Sequence, residues 1–71
     1  MKGYTVVFEH VPGKNWGAYA PDLPGCGVTG PSLEETKRLM REAIAFHIEG
    51  LRRDNEEVPE PTSLAETIEV A

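Results

Sequence analysis

The chain reads as an α+β domain in the order β-β-β-α-β, a three- to four-stranded sheet with one long helix packed on it. Three features of the sequence carry that reading. Residues 3–11 alternate with period two and are rich in β-branched and aromatic types, which marks a strand. The stretch from Pro21 to Gly30 packs two prolines, three glycines and an aspartate into ten residues, which marks a rigid loop between strand-like segments. Ser32-Leu33-Glu34-Glu35 then opens an apolar pattern of helical period.

The elements follow in order. In the first strand Tyr4, Val6, Phe8 and His10 share one face, and Thr5, Val7, Glu9 and Val11 the other. Pro12-Gly13-Lys14-Asn15 is a turn. Trp16 to Ala20 is the short aromatic return strand of a hairpin, and Gly27-Val28-Thr29 forms a brief third strand. The Ser32 hydroxyl is placed to accept from the amide of Glu35, whose carboxylate reaches back to the Ser32 amide. The helix runs to about Asp54. Leu33, Met40, Ile44, His47, Ile48 and Leu51 make its apolar stripe, and Leu39, Ala43 and Phe46 widen it. Asp54-Asn55-Glu56 ends the helix, and the prolines of Val58-Pro59-Glu60-Pro61-Thr62 hold the next segment extended. Residues 65–70 alternate, with Glu66, Ile68 and Val70 on one side and Ala65, Thr67 and Glu69 on the other; this reads as a final strand at the sheet edge.

Seventy-one residues form one domain, 1–71, that buries only ~60% of its unfolded surface. Cys26 is the one cysteine, so no internal disulfide braces the core. A homo-oligomer is therefore expected, a dimer first and a tetramer next. The lone cysteine and the lack of a signal peptide point to the cytoplasm, and no apolar run approaches the ~18 residues of a membrane span. The net charge is −5, with acidic residues crowding the second half: Glu49, Asp54, Glu56, Glu57, Glu60, Glu66 and Glu69. Nucleic-acid binders carry the opposite balance. An acidic surface steers a basic partner, or it serves solubility alone.

Catalytic sets are hard to assemble. A Cys26 nucleophile needs a base, yet the histidines, His10 on a strand and His47 on the helix stripe, sit in other elements. Those three residues lack metal-ligand spacing, and no cofactor is implied. Glu9 and Asp22 could approach across the hairpin, short of the converging carboxylates that a two-metal nuclease needs. The glycines about Cys26 lack the Lys-Ser/Thr ending of a phosphate loop. Asp22 reads as a turn former that accepts from amides a residue or two onward. Pro21 and Pro24 stiffen the loop, and Gly25 and Gly27 permit positive φ. The candidate site is thus Trp16, Tyr19, Pro21, Asp22, Leu23, Pro24, Gly25 and Cys26, serving either partner binding or loop architecture.

The pattern Tyr19-x-Pro21-Asp22-Leu23-Pro24-Gly25-Cys26, then Gly30, Leu33-Glu34-Glu35, Arg41-Glu42-Ala43-Ile44, Leu51 and Pro59-x-Pro61-Thr62, resembles the HicB antitoxin family over residues 4–62. The resemblance implies an N-terminal HicB domain with a cut-down ribonuclease H-like fold and no nuclease activity. It also implies a small basic partner, the mRNA-cleaving toxin HicA, whose active surface the antitoxin covers. Many members continue into a DNA-binding segment that would begin about where this sequence stops, so no direct DNA contact is expected of residues 1–71. Two other readings stay open. One is a solitary oligomeric binding module, such as the small UPF0150-type proteins of the same family. The other is a degenerate Mg²⁺-dependent ribonuclease that uses Glu9 and Asp22.

Overall fold

The computed structural model describes residues 3–10 and 12–71. Val11, which the alternation puts at the end of the first strand, lies outside them. The strands are β1 (Val7–His10), β2 (Trp16–Tyr19) and β3 (Gly27–Gly30), followed by the helix α1 (Leu33–Arg53). They form one antiparallel sheet in the order β1-β2-β3. This is the expected α+β arrangement, with β1 shorter than the alternating run.

Register fixes two faces. Phe8, Ala18 and Val28 stand opposite one another, as do His10, Trp16 and Gly30. This row faces α1 and supplies the core, in which Ala18, Ala20, Leu23, Cys26 and Met40 are buried and Tyr4, Val6, Phe8, Val28, Ala43 and Ile44 pack around them. The other face carries Val7, Glu9, Gly17, Tyr19, Gly27 and Thr29. The His10 imidazole stacks on the Trp16 indole, centroids 4.4 Å apart and 9° from parallel. That cross-strand contact staples the turn end of the hairpin.

The helix obeys its local signals. The Ser32 hydroxyl accepts from the Glu35 amide at 3.1 Å. The reciprocal half of the expected capping box differs: the Glu35 carboxylate grips the Arg38 guanidinium at 2.8 and 2.9 Å. A charged i,i+3 partner competes successfully with a neutral amide for the same oxygens. At the other end Asn55 takes a left-handed φ of 59°, its amide bonds to the Arg52 carbonyl, and the Glu56 amide reaches Leu51. This is a Schellman stop. Arg52 and Arg53 in the last turn, and Glu34 and Glu35 in the first, complement the helix dipole.

Two expectations fail here. Phe46 does not widen the apolar stripe; it is 72% exposed, and buried Thr36 joins Met40 on the inner face instead. The segment 65–70 is no strand: the chain past the helix forms no regular element and makes no ladder among the described residues, with Leu64, Ile68 and Val70 in solvent. Its alternation is genuine, but within one chain it meets no edge. No helix of the described residues is long and apolar enough to cross a membrane.

Candidate functional site

Between β2 and β3 the chain makes two linked turns. The Leu23 amide donates to the Ala20 carbonyl at 3.0 Å and the Cys26 amide to the Leu23 carbonyl at 3.0 Å; the Ala20 amide closes the loop on the Cys26 carbonyl at 3.1 Å. Pro24 precedes Gly25, whose φ of 82° only glycine accepts freely. Proline then left-handed glycine at the two central positions is the type II arrangement. The sequence thus dictates the loop residue by residue.

The loop divides its residues by role. Leu23 and Cys26 point inward to the core, so their part is architecture. Burial pushes the Cys26 thiol above its ordinary value, which holds it protonated and a poor nucleophile. Tyr19, Pro21, Pro24 and Gly25 stay on the surface and, with Ala20, Leu23, Cys26 and Gly27, line a shallow depression of about 500 Å³. Trp16 is not part of this patch. It stands at the far end of β2, its side chain on the opposite face from Tyr19, committed to His10. Gly27 needs no positive φ; it lies in β3, where a Cβ would sit 3.0 Å from the Ala18 carbonyl.

Asp22 departs furthest from expectation. Its carboxylate does not cap its own turn. It accepts from the amides of Thr62 at 3.0 Å and Ser63 at 2.9 Å, and from their hydroxyls at 3.1 and 2.8 Å. The Tyr4 hydroxyl donates to the Pro59 carbonyl at 2.6 Å and the Thr5 hydroxyl to the Ser63 carbonyl at 2.7 Å. The loop and the start of the chain together latch the segment that returns from α1. Sequence reasoning missed Thr62 and Ser63 as site residues; the only signal was two adjacent hydroxyls just past a proline pair.

The hydrogen bonds from Ser63 and Thr62 hold the Asp22 carboxyl below its ordinary value. A carboxylate stabilised in the folded state contributes fully above its unfolded pKa, about 4, and loses that contribution as pH falls through the lowered folded value. Acid therefore weakens the hold of Asp22 on the tail progressively from about pH 4 down through the lowered folded value. Asp22→Ala is expected to do the same at neutral pH, speeding hydrogen exchange at the Thr62 and Ser63 amides while the α1 amides keep their protection. Unchanged exchange at 62 and 63 would show that the latch is not held by Asp22.

Among the described residues no group of three or more His, Cys, Asp and Glu side chains could hold a metal. Glu9 is exposed on the outer sheet face, and both Asp22 oxygens are engaged by the tail. The exposed pairs Arg38–Glu35, Arg38–Glu42 and Arg53–Glu49 line the outer side of α1 and contribute little singly.

The whole described unit, tail included, has known counterparts. A family model described as "HicB_like antitoxin of bacterial toxin-antitoxin system" matches residues 4–71. A protein of Haemophilus phage HP1, named "Uncharacterized 14.9 kDa protein in rep-hol intergenic region", is 44% identical over 65 residues, which are 92% of this chain and 48% of the phage protein. This chain thus spans about half the length of that relative. UPF0150 protein Ta0767 of Thermoplasma acidophilum is 34% identical over 79% of this chain and 81% of its own. UPF0150 protein ssr1765 of Synechocystis is 30% identical over 94% and 85%. With the match running from the first strand through the latched tail, the chain belongs to the HicB-like antitoxin family of bacterial toxin–antitoxin systems.

Proposed function

We propose that this chain is a non-enzymatic, cytoplasmic antitoxin that works as a homo-oligomer and neutralises a small basic HicA-type mRNA-cleaving toxin by covering its active surface. The family match over residues 4–71 carries the reading. Physical features support it. The chain carries −5 net charge, which favours encounter with a basic protein and disfavours phosphate backbones. The loop surface of Tyr19, Pro21, Pro24 and Gly25 is locked by turn hydrogen bonds, so little entropy is lost when a partner lands on it. Leu23 and Cys26 hold that surface from below, and Asp22 ties it to the tail.

Co-expression with a HicA-type protein followed by size-exclusion chromatography with light scattering tests the reading. Co-elution is expected, and Tyr19→Ala combined with Pro24→Ala should weaken the complex about tenfold or more, since a handful of central aromatic contacts carries most interface energy. Separate elution at micromolar concentrations contradicts it. One observation favours a second reading, a solitary oligomeric binding module: the matches to the two UPF0150 proteins cover 81% and 85% of those relatives, in which the domain stands nearly alone. That reading predicts the homo-oligomer without toxin binding.

A further inference from the structure

Two features of the fold are incomplete, and each fits the other. The first is the β1 side of the domain. β1 is an edge of the sheet, and α1 lies across β3 and β2 rather than over β1. The inner row Tyr4, Val6 and Phe8 consequently walls an open cleft of about 410 Å³, closed on the helix side by Met40, Ile44 and the side chains of Lys37 and Arg41. The cleft is apolar at its floor and cationic at its rim, and it runs beside the unpaired backbone groups of an edge strand. This is the shape left by a missing strand.

The second feature is the tail. Leu64, Ile68 and Val70 are 81%, 79% and 88% exposed, and in a strand their even spacing would put them with Glu66 on one side. Three large aliphatic side chains in solvent on a strand-competent segment call for a cover. The segment is exposed throughout, and the chain as a whole is elongated, with a radius of gyration of 13.6 Å against about 11 Å expected for a compact chain of this length. Its root is fixed, because Ser63 is held by Asp22 and Thr5. Thr5 lies two residues before β1, so the root of the tail sits next to the edge that needs a strand.

We propose that residues 64–70 of a second copy add as a strand beside β1, with Leu64, Ile68 and Val70 filling the cleft and Glu66 meeting the Lys37 and Arg41 rim. The exchange is reciprocal, each copy giving its tail and receiving its partner's, which closes as a two-fold dimer. Charge complementarity sets the occupant: the rim of the cleft is basic, and the cleft-facing side of the tail carries Glu66. Lys37 is free to turn toward it, since its contact with Glu34 is an exposed one at 3.7 Å. The inference deepens the homo-oligomer part of the proposed function and needs no toxin.

Light scattering on the full chain, with and without Ile68→Asp and Val70→Asp, is the test. The wild type is expected to be a dimer. The double variant should be a monomer with an unchanged helical circular-dichroism signal, its dissociation constant raised about a hundredfold or more by the loss of buried aliphatic surface. These positions are solvent-exposed in the single chain, so the variant keeps its fold. Arg41→Glu should also loosen the dimer, and adding Glu66→Arg should restore it. A monomeric wild type, including one whose own tail is protected from exchange, overturns the proposal. So does a dimer indifferent to both sets of variants, which would place the contact on the helix or the outer sheet face. Failure of toxin binding with the dimer intact would remove only the antitoxin reading.

Discussion

Leu23→Ala is expected to lower the melting temperature by about 10 °C or more. Leu23 is fully buried and sits at the middle of the loop, where its amide and carbonyl join the two turns. Large-to-small changes at such sites cost about 2–5 kcal/mol, through lost transfer energy and the cavity left behind. A 71-residue chain at roughly 0.05–0.15 kcal/mol per residue has on the order of 4–10 kcal/mol in all. The few other buried apolar side chains among the described residues, Ala18, Ala20, Cys26 and Met40, leave little to compensate. At about 4–8 °C per kcal/mol for a domain this small, thermal melting followed by circular dichroism resolves the effect easily. A melting temperature within about 2 °C of the wild type would mean that the loop, despite its burial, does not anchor the core.

Gly30 is the second sensitive point. It is not in a left-handed conformation; its constraint is contact. A Cβ there would lie 2.6 Å from the Thr36 hydroxyl oxygen and 3.3 Å from both the Thr36 Cα and a Leu39 methyl. Thr36 is fully buried and its hydroxyl is bound to the Ser32 carbonyl at 2.6 Å, so the neighbour cannot swing aside. The first turn of α1 must move off β3. Gly30→Ala is expected to cost about 1–3 kcal/mol, and Gly30→Val more. Thr36→Ala removes the nearest clashing atom, so the double variant Gly30→Ala/Thr36→Ala should be more stable than the sum of its single costs. Strict additivity would refute the contact as the cause.

Much of this molecule is legible in the sequence because its signals are local. Ser32 and Asn55 set the helix ends within a turn of themselves, and Pro24-Gly25 fixes a turn by its own dihedrals. The loop could be assigned for the same reason, and its family resemblance followed from the same few residues. What was not legible depends on distance along the chain. Asp22 bonds to residues 40 and 41 positions away, and no spacing rule reaches that far. Glu35 was placed in the right turn but given the wrong partner, because Arg38 lay equally near and carried charge. The grouping of Trp16 with the loop failed on parity: three residues along a strand turn a side chain to the other face. The final segment shows the limit most clearly. Its alternation states that it is a strand, while the edge it pairs with belongs, on the proposal above, to another copy.

These details bear on function through rigidity. The surface proposed to meet a partner is built from Tyr19, Pro21, Pro24 and Gly25, and the loop behind it is held by turn hydrogen bonds and by buried Leu23 and Cys26. On the proposed antitoxin reading, a preorganised surface on a chain of −5 net charge would cover a basic toxin through complementarity and a fast encounter, with no catalytic group of its own. The most direct test is RNA cleavage by a purified HicA-type toxin from the same genome, titrated with this chain at physiological salt. Cleavage should fall to background at stoichiometric addition, and the Tyr19→Ala/Pro24→Ala variant should need a clear excess. Cleavage that persists unchanged at a large excess of the wild-type chain would contradict the account.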